Sequence, residues 1–155
     1  MLAIGTYIRI VDAAGRDTGN NFQNFHQGET RTYDGTKYIF AGFGFSGGTL
    51  DIQSANISAS LVFAVNELSL NVFLQASNEF WLAKIRTVWL DPDTLEEGST
   101  YSEESYAITG LEHDTGRLSV RLGSPLDAVQ QNAPRRVLTL KMVGALPSTG
   151  QINLN

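Results

Sequence analysis

Apolar and polar residues alternate almost without fault from Asp51 to Val65, DIQSANISASLVFAV. Ala55, Ile57, Ala59, Leu61, Phe63 and Val65 take the odd positions, and Asn56, Ser58 and Ser60 the even ones. Successive side chains of a strand point to opposite faces, so the pattern predicts one long strand with a core face and a wetter face. A helix would scatter the same residues around its circumference. The even positions turn apolar at Val62 and Ala64, which predicts cover on both faces at that end.

The same reading extends along the chain. Ile4, Thr6, Ile8 and Ile10 share one face of a first strand, with Tyr7, Arg9 and Val11 on the other. Asp12 to Asn21 is rich in Gly, Asp and Asn and reads as a turn or mobile loop. Phe22, Phe25 and His26 lie in a poorly patterned stretch. Asp34-Gly35 between Tyr33 and Thr36 is a strong hairpin signal, because a type I′ turn needs positive φ at both central positions. Tyr38 to Phe45 continues as a strand, and Ser46-Gly47-Gly48 breaks it.

Leu68 to Asn78 suits either period. Asn66 is a good N-cap and Glu67 favours the first turn, so a short helix is expected, with Leu70, Phe73, Leu74 and Ser77 on one face. Phe80 to Asp91 is a strand with Ala83, Ile85 and Trp89 opposed to Lys84, Arg86 and Val88. From there to Glu104 the acidic sequence reads as a solvated hairpin tip. Tyr106 to Leu111 and Arg117 to Leu122 flank a turn at Asp114-Thr115-Gly116, with Leu118, Val120 and Leu122 inward. Ser124-Pro125-Leu126-Asp127 has the form of a helix start. Val137 to Val143 gives a last strand. Seven or eight strands with one or two short helices predict an all-β domain, mainly antiparallel, of the barrel or sandwich type. Its expected span is 1–146, followed by a polar tail over 147–155.

Composition narrows the function. A chain of 155 residues suits one domain, which buries roughly 68–70% of its unfolded surface without staples. The absence of cysteine excludes disulfide frameworks, thiolate metal sites and cysteine nucleophiles. The net charge is −5 and no basic run exceeds Arg135-Arg136, which argues against nucleic acid as a partner. The start, MLAIGTYIRIVD, lacks the form of a signal peptide, and no apolar run approaches the ~18 residues of a membrane span. A soluble protein made without a secretion signal is expected. Charged residues are 17% of the chain, against about 25% in ordinary domains, as on a surface that other subunits cover.

Reactive groups do not assemble into a known motif. His26 and His113 are the only histidines; Glu112-His113-Asp114 lacks zinc-site spacing and reads as an exposed turn. There is no Gly-x-Ser-x-Gly elbow to mark a triad. Asp91, Asp93, Glu96 and Glu97 lack the glycine and closing glutamate of an EF-hand loop. Gly42, Gly44, Gly47 and Gly48 lack the Lys-Ser/Thr ending of a phosphate loop and read as strand bends. Tyr38, Phe40, Trp81 and Trp89 offer a sugar-stacking platform, but the two tryptophans lie about 26 Å apart along one strand at roughly 3.3 Å per residue. Packing against the core or a partner explains them better. No catalytic, cofactor-binding or metal-binding residue is assigned, and the chain is not read as an enzyme.

Taken in order, these elements resemble the N-terminal domain of the lambda-type phage minor tail protein L family, a tail-tip hub component. The resemblance rests on Tyr33-Asp34-Gly35-Thr36-Lys37-Tyr38 and the glycine-punctuated stretch after it, on Ile57 to Asn66, and on Arg86-Thr87-Val88-Trp89-Leu90-Asp91. Arg117 to Leu122, Ser124-Pro125 and Pro134-Arg135-Arg136 complete it, so that it covers about residues 5 to 136. It implies a structural role in a virion: a hub ring beneath the tail tube, between a distal tail ring and the central hub or fibre protein. Such hubs are usually homotrimers, with a hexamer as the alternative. The family's iron–sulfur domain is cysteine-bearing, so that cofactor is not carried over. Two other classes compete: a carbohydrate-binding β-sandwich for host-surface recognition, and a small hydrolase. Protein purified without chelators should carry no stoichiometric metal by elemental analysis, and EDTA should leave its melting temperature unchanged.

Overall fold

The computed structural model describes residues 3–51 and 56–125. Among them lie nine strands and one helix: β1 (Ala3–Val11), β2 (Asp17–Gln23), β3 (Arg31–Tyr33), β4 (Thr36–Phe40), β5 (Phe43–Asp51), β6 (Asn56–Ala64), α1 (Glu67–Asn78), β7 (Leu82–Leu90), β8 (Glu97–His113) and β9 (Arg117–Gly123). The strands form one sheet in the order β3-β4-β2-β1-β7-β8-β9-β6-β5. Every pairing is antiparallel except β2 with β4. The all-β class is therefore the observed one, and the sheet is not closed into a barrel.

Its curl is nonetheless strong enough to bring distant strands together. Phe22 of β2 meets Phe63 of β6 with ring centroids 5.9 Å apart, and Phe73 of α1 lies 6.2 Å from the first and 4.8 Å from the second. The link between β4 and β5 stitches the same gap: Ala41 N–H donates to Gln23 O, and Ala64 N–H donates to Gly42 O. Extra residues supply the bend. β8 has one extra residue opposite Thr87/Val88, another opposite Val88/Leu90 and a third, at Thr109, opposite β9. Bulges on one strand increase its local twist and turn the sheet.

The curled sheet has a core on each face. Inside lie Ile8, Ile10, Phe22, Leu61, Phe63, Ala83, Ile85, Ile108, Leu118 and Val120, with Phe73 and Ala76 of α1. Outside, Tyr7, Tyr38, Val88 and Leu90 pack with Phe25, Tyr33 and Leu95. The outer face of β1 around Tyr7 and of the far half of β7 is thus covered as well, so Tyr7 and Val88 are buried.

Several sequence expectations shift accordingly. The long strand begins at Asn56, because Asp51 already belongs to β5 and pairs back onto Asn56. Ala59, Leu61 and Phe63 do face the core, but Ala64 is exposed and Val62 half-buried, since α1 covers one face only. Gly47-Gly48 makes a bulge within β5 instead of ending a strand, and Ala41-Gly42 is where β4 and β5 part. Asp17 to Asn21 is strand, its extra residues absorbed at Gly19, where φ is +77°. The acidic stretch from Glu97 to Glu104 is the first half of β8, not a loop.

Asn66 caps α1 as expected, accepting from Ser69 N–H at 2.7 Å while the Ser69 hydroxyl accepts from Asn66 N–H at 3.3 Å. The buried helix face is Ser69, Phe73 and Ala76; Leu74 is exposed and Ser77 half-buried. The Asp34-Gly35 turn has φ of +49° and +73°, as a type I′ hairpin requires. The helix expected from Ser124-Pro125, the strand Val137 to Val143 and the 147–155 tail extend outside the described residues. Phe63→Ala should cost about 3–5 kcal/mol in denaturant unfolding, and Ser60→Ala no more than about 0.5 kcal/mol. Equal small effects at the two positions would show that the strand faces are misassigned.

Candidate functional site

Among the described residues, two places gather polar or aromatic side chains. The first is the outer face of β1 and β7. Strand alternation puts Tyr7 and Arg9 there, opposite Arg86 and Lys84 of β7. The β3–β4 hairpin folds across this face. Tyr33 stacks on Tyr7 at 4.8 Å, Tyr38 leans on it at 4.6 Å, and Phe25 meets it edge-on at 5.2 Å. The hairpin turn is anchored by Asp34, 3.5 Å from Arg86, whose guanidinium sits 5.4 Å over the Tyr33 ring. Gly5 is required beneath Phe25, because a Cβ there would lie 2.6 Å from the ring.

One buried amide holds the loop that carries Phe25 and His26. Gln23 is fully buried; its Oε1 accepts from the Phe25 and His26 amides at 2.9 and 2.7 Å. Its Nε2 donates to His26 O at 2.7 Å and to Glu29 O at 3.2 Å. The His26 ring meets the Arg31 guanidinium and lies 3.8 Å from Glu29. His26 is thus a loop anchor within a polar network.

Ionisation on this face follows burial. Burial, then the Glu97 carboxylate to which it donates, pushes the Tyr7 phenol far above its ordinary range. Burial raises Tyr38 as well. Burial opposes charge on Arg86, but Glu103 at 3.0 Å more than offsets it, and the guanidinium is held charged. Burial also opposes charge on Asp17, yet the Gly19 amide and Arg9 at 2.9 Å keep its carboxyl below the usual range. Between β1, β7 and the hairpin remains a cleft of ≈ 70 Å³, lined by Arg9, Lys84, Arg86, Tyr38, Asp34 and Glu103 among others. It is too small to enclose a sugar ring.

The second place is the rim where the inner rows of β1 and β7 run out of the core. The paired rows read Ile8/Ile85, Thr6/Thr87 and Ile4/Trp89, and Ile4 is 52% exposed. The extra residue at Tyr101 of β8 brings that ring edge-on to Trp89 at 4.9 Å, and Tyr101 is 61% exposed. Beside this row is a shallow depression of ≈ 520 Å³ bordered by Trp89, Pro92, Asp91, Glu96 and Glu97.

The residues singled out in the sequence do not converge. Tyr38 is buried in the outer core, Trp81 in the inner core with its Nε1 donating to Glu79 at 2.9 Å, and Phe40 sits at the end of β4. Trp89 alone reaches the rim. Glu112 pairs with Arg121, His113 is exposed, and Asp114 accepts from the Gly116 and Arg117 amides. Asp91 accepts from the Asp93 and Thr94 amides at the β7–β8 tip, which holds its carboxyl below the usual range. Among the described residues, no three His, Asp or Glu side chains gather as a metal site. The Trp89–Tyr101 contact escapes sequence reading because bulges change the parity of β8.

No protein-family model matches the chain, and no curated protein matches it. No helix of the described residues is long and apolar enough to cross a membrane.

The tyrosines give a pH signature. A phenol whose folded value is raised stabilises the fold fully below the unfolded value near 10 and loses that contribution as pH climbs through the folded value. For Tyr106, buried and donating to Glu104, that value is pushed up to about 12. Stability should therefore fall above about pH 10. Tyr7→Phe should weaken that alkaline loss in melts compared across pH. An alkaline limb identical in wild type and variant would refute the assignment.

Proposed function

We propose that this chain is a structural component of a bacteriophage tail tip or baseplate, a hub ring joining the distal tail ring to the central hub or fibre protein. The motifs from Tyr33 to Arg136 that resemble lambda-type hub domains suggest the place. The observation that carries an assembly role is the Ile4–Trp89–Tyr101 row, contiguous across three strands, with Ile4 and Tyr101 exposed and Trp89 half-buried between them. Contiguous exposed apolar surface rimmed by polar groups is a mark of protein contact. Obligate interfaces run to about 2,000 Å² or more, so the row would be one part of a larger buried area. A homotrimer is the expected ring.

The Trp89–Tyr101 pair also favours a second reading. The Trp89 ring beside the carboxylates of Asp91, Glu96 and Glu97 suits a host carbohydrate, and the ≈ 520 Å³ depression has room for a sugar ring. The chain would then be a host-recognition module.

Deleting the gene in the producing phage and imaging the lysate separates the two. A hub defect should leave heads and unjoined tail parts. Complete tailed particles that fail at adsorption would support the sugar-binding reading and overturn the hub. In sedimentation, the purified wild type should be a trimer and Tyr101→Asp should shift it toward monomer.

A further inference from the structure

The geometry points to the outer-face cleft as a binding site for a small oxyanion, a phosphate or a carboxylate, held by Lys84 and Arg9. These two cations stand directly opposite each other on β7 and β1, and Arg86 follows Lys84 on the same face. Like charges directly opposite across a sheet are destabilising, so such an arrangement needs compensation. Arg86 has it twice over, from Glu103 at 3.0 Å and Asp34 at 3.5 Å, and Arg9 has it from Asp17 at 2.9 Å. Lys84 makes no ion pair with any described residue.

The cleft separates the charges in a way that orients a ligand. Asp34 and Glu103 are both bound to Arg86, so negative charge collects at the Arg86 end. Lys84 and Arg9 leave the other end short of one anion. Tyr38 also lines the cleft, kept neutral by burial. A volume of ≈ 70 Å³ admits a carboxylate or phosphate head. An oxyanion there would bridge the facing cations and convert their repulsion into two charge-assisted hydrogen bonds.

The site lies on the face opposite the Ile4–Trp89–Tyr101 row and does not depend on the tail-tip reading. The test titrates inorganic phosphate, and separately acetate, into the full chain at matched ionic strength in chloride, following the melting temperature. A saturable rise with either probe is expected, and the stronger probe identifies the preferred ligand. Lys84→Ala should weaken half-saturation about tenfold or more, while melting no lower than wild type in chloride because the like-charge pair is gone. Lys37→Ala, at an exposed lysine elsewhere on β4, should bind as wild type does. If Lys84→Ala does not fold, Lys84→Gln and phosphorus NMR line broadening on the wild type replace it. Phosphate and acetate effects no larger than chloride's, or an undiminished effect without the lysine, would overturn the site.

Discussion

Phe73 is the contact on which the architecture turns. The nine strands form an open sheet, and an open curled sheet leaves a gap between its ends through which water would reach the core. α1 fills that gap by placing one ring against Phe22 from one side of the sheet and Phe63 from the other. A strand could have closed the gap with backbone hydrogen bonds. Here a helix closes it with apolar area, assisted by the two backbone bonds of Ala41-Gly42. Ile8, Ile10, Ile85, Leu118 and Val120 lie in the core that this seal helps to close.

The curl explains why one sheet serves two cores. β8 is longer than its neighbours along their shared ladders because it carries extra residues against both β7 and β9. The sheet bends around the inner core, and the β3–β4 hairpin, attached by the parallel pairing to β2, folds onto the convex side. That makes the outer face an aromatic and ionic layer in place of a plain solvated surface. Tyr7 belongs to this layer, which accounts for a tyrosine that is 1% exposed on the face opposite Ile8 and Ile10.

Much of the scaffold was legible in the sequence, and the misses have physical causes. Leu61, Phe63, Leu118, Val120 and Leu122 follow a period of two over an unbulged pairing, β6 with β9, and sequence parity predicts their burial. The Asp34-Gly35 turn and the Asn66 cap are local chemistry and need no tertiary information. Parity fails where extra residues intervene, at Gly19, Gly47-Gly48 and Tyr101, because a bulge exchanges faces without a trace in hydrophobicity. Val88 shares a face with Lys84 and Arg86 yet is buried; alternation cannot report that a distant hairpin covers the second face. The opposition of Arg9 and Lys84 is a matter of register between strands far apart in sequence, which no local pattern encodes.

The position of β1 sets the order in which the protein can be built. β1 leaves the ribosome before β7 but lies inside the sheet, between β2 and β7, and its pairing with β7 runs along its whole length from Ala3↔Leu90 to Val11↔Leu82. Only the β2 side can form from nearby sequence. The other edge must stay unpaired until β7 is synthesised, and such non-local pairings make folding slow. An unpaired, largely apolar edge is also open to pairing with another nascent chain. The acceptable window for assembly with other copies therefore begins after β7 has docked, and high expression should trade folded yield against aggregation through this strand rather than through the exposed rim.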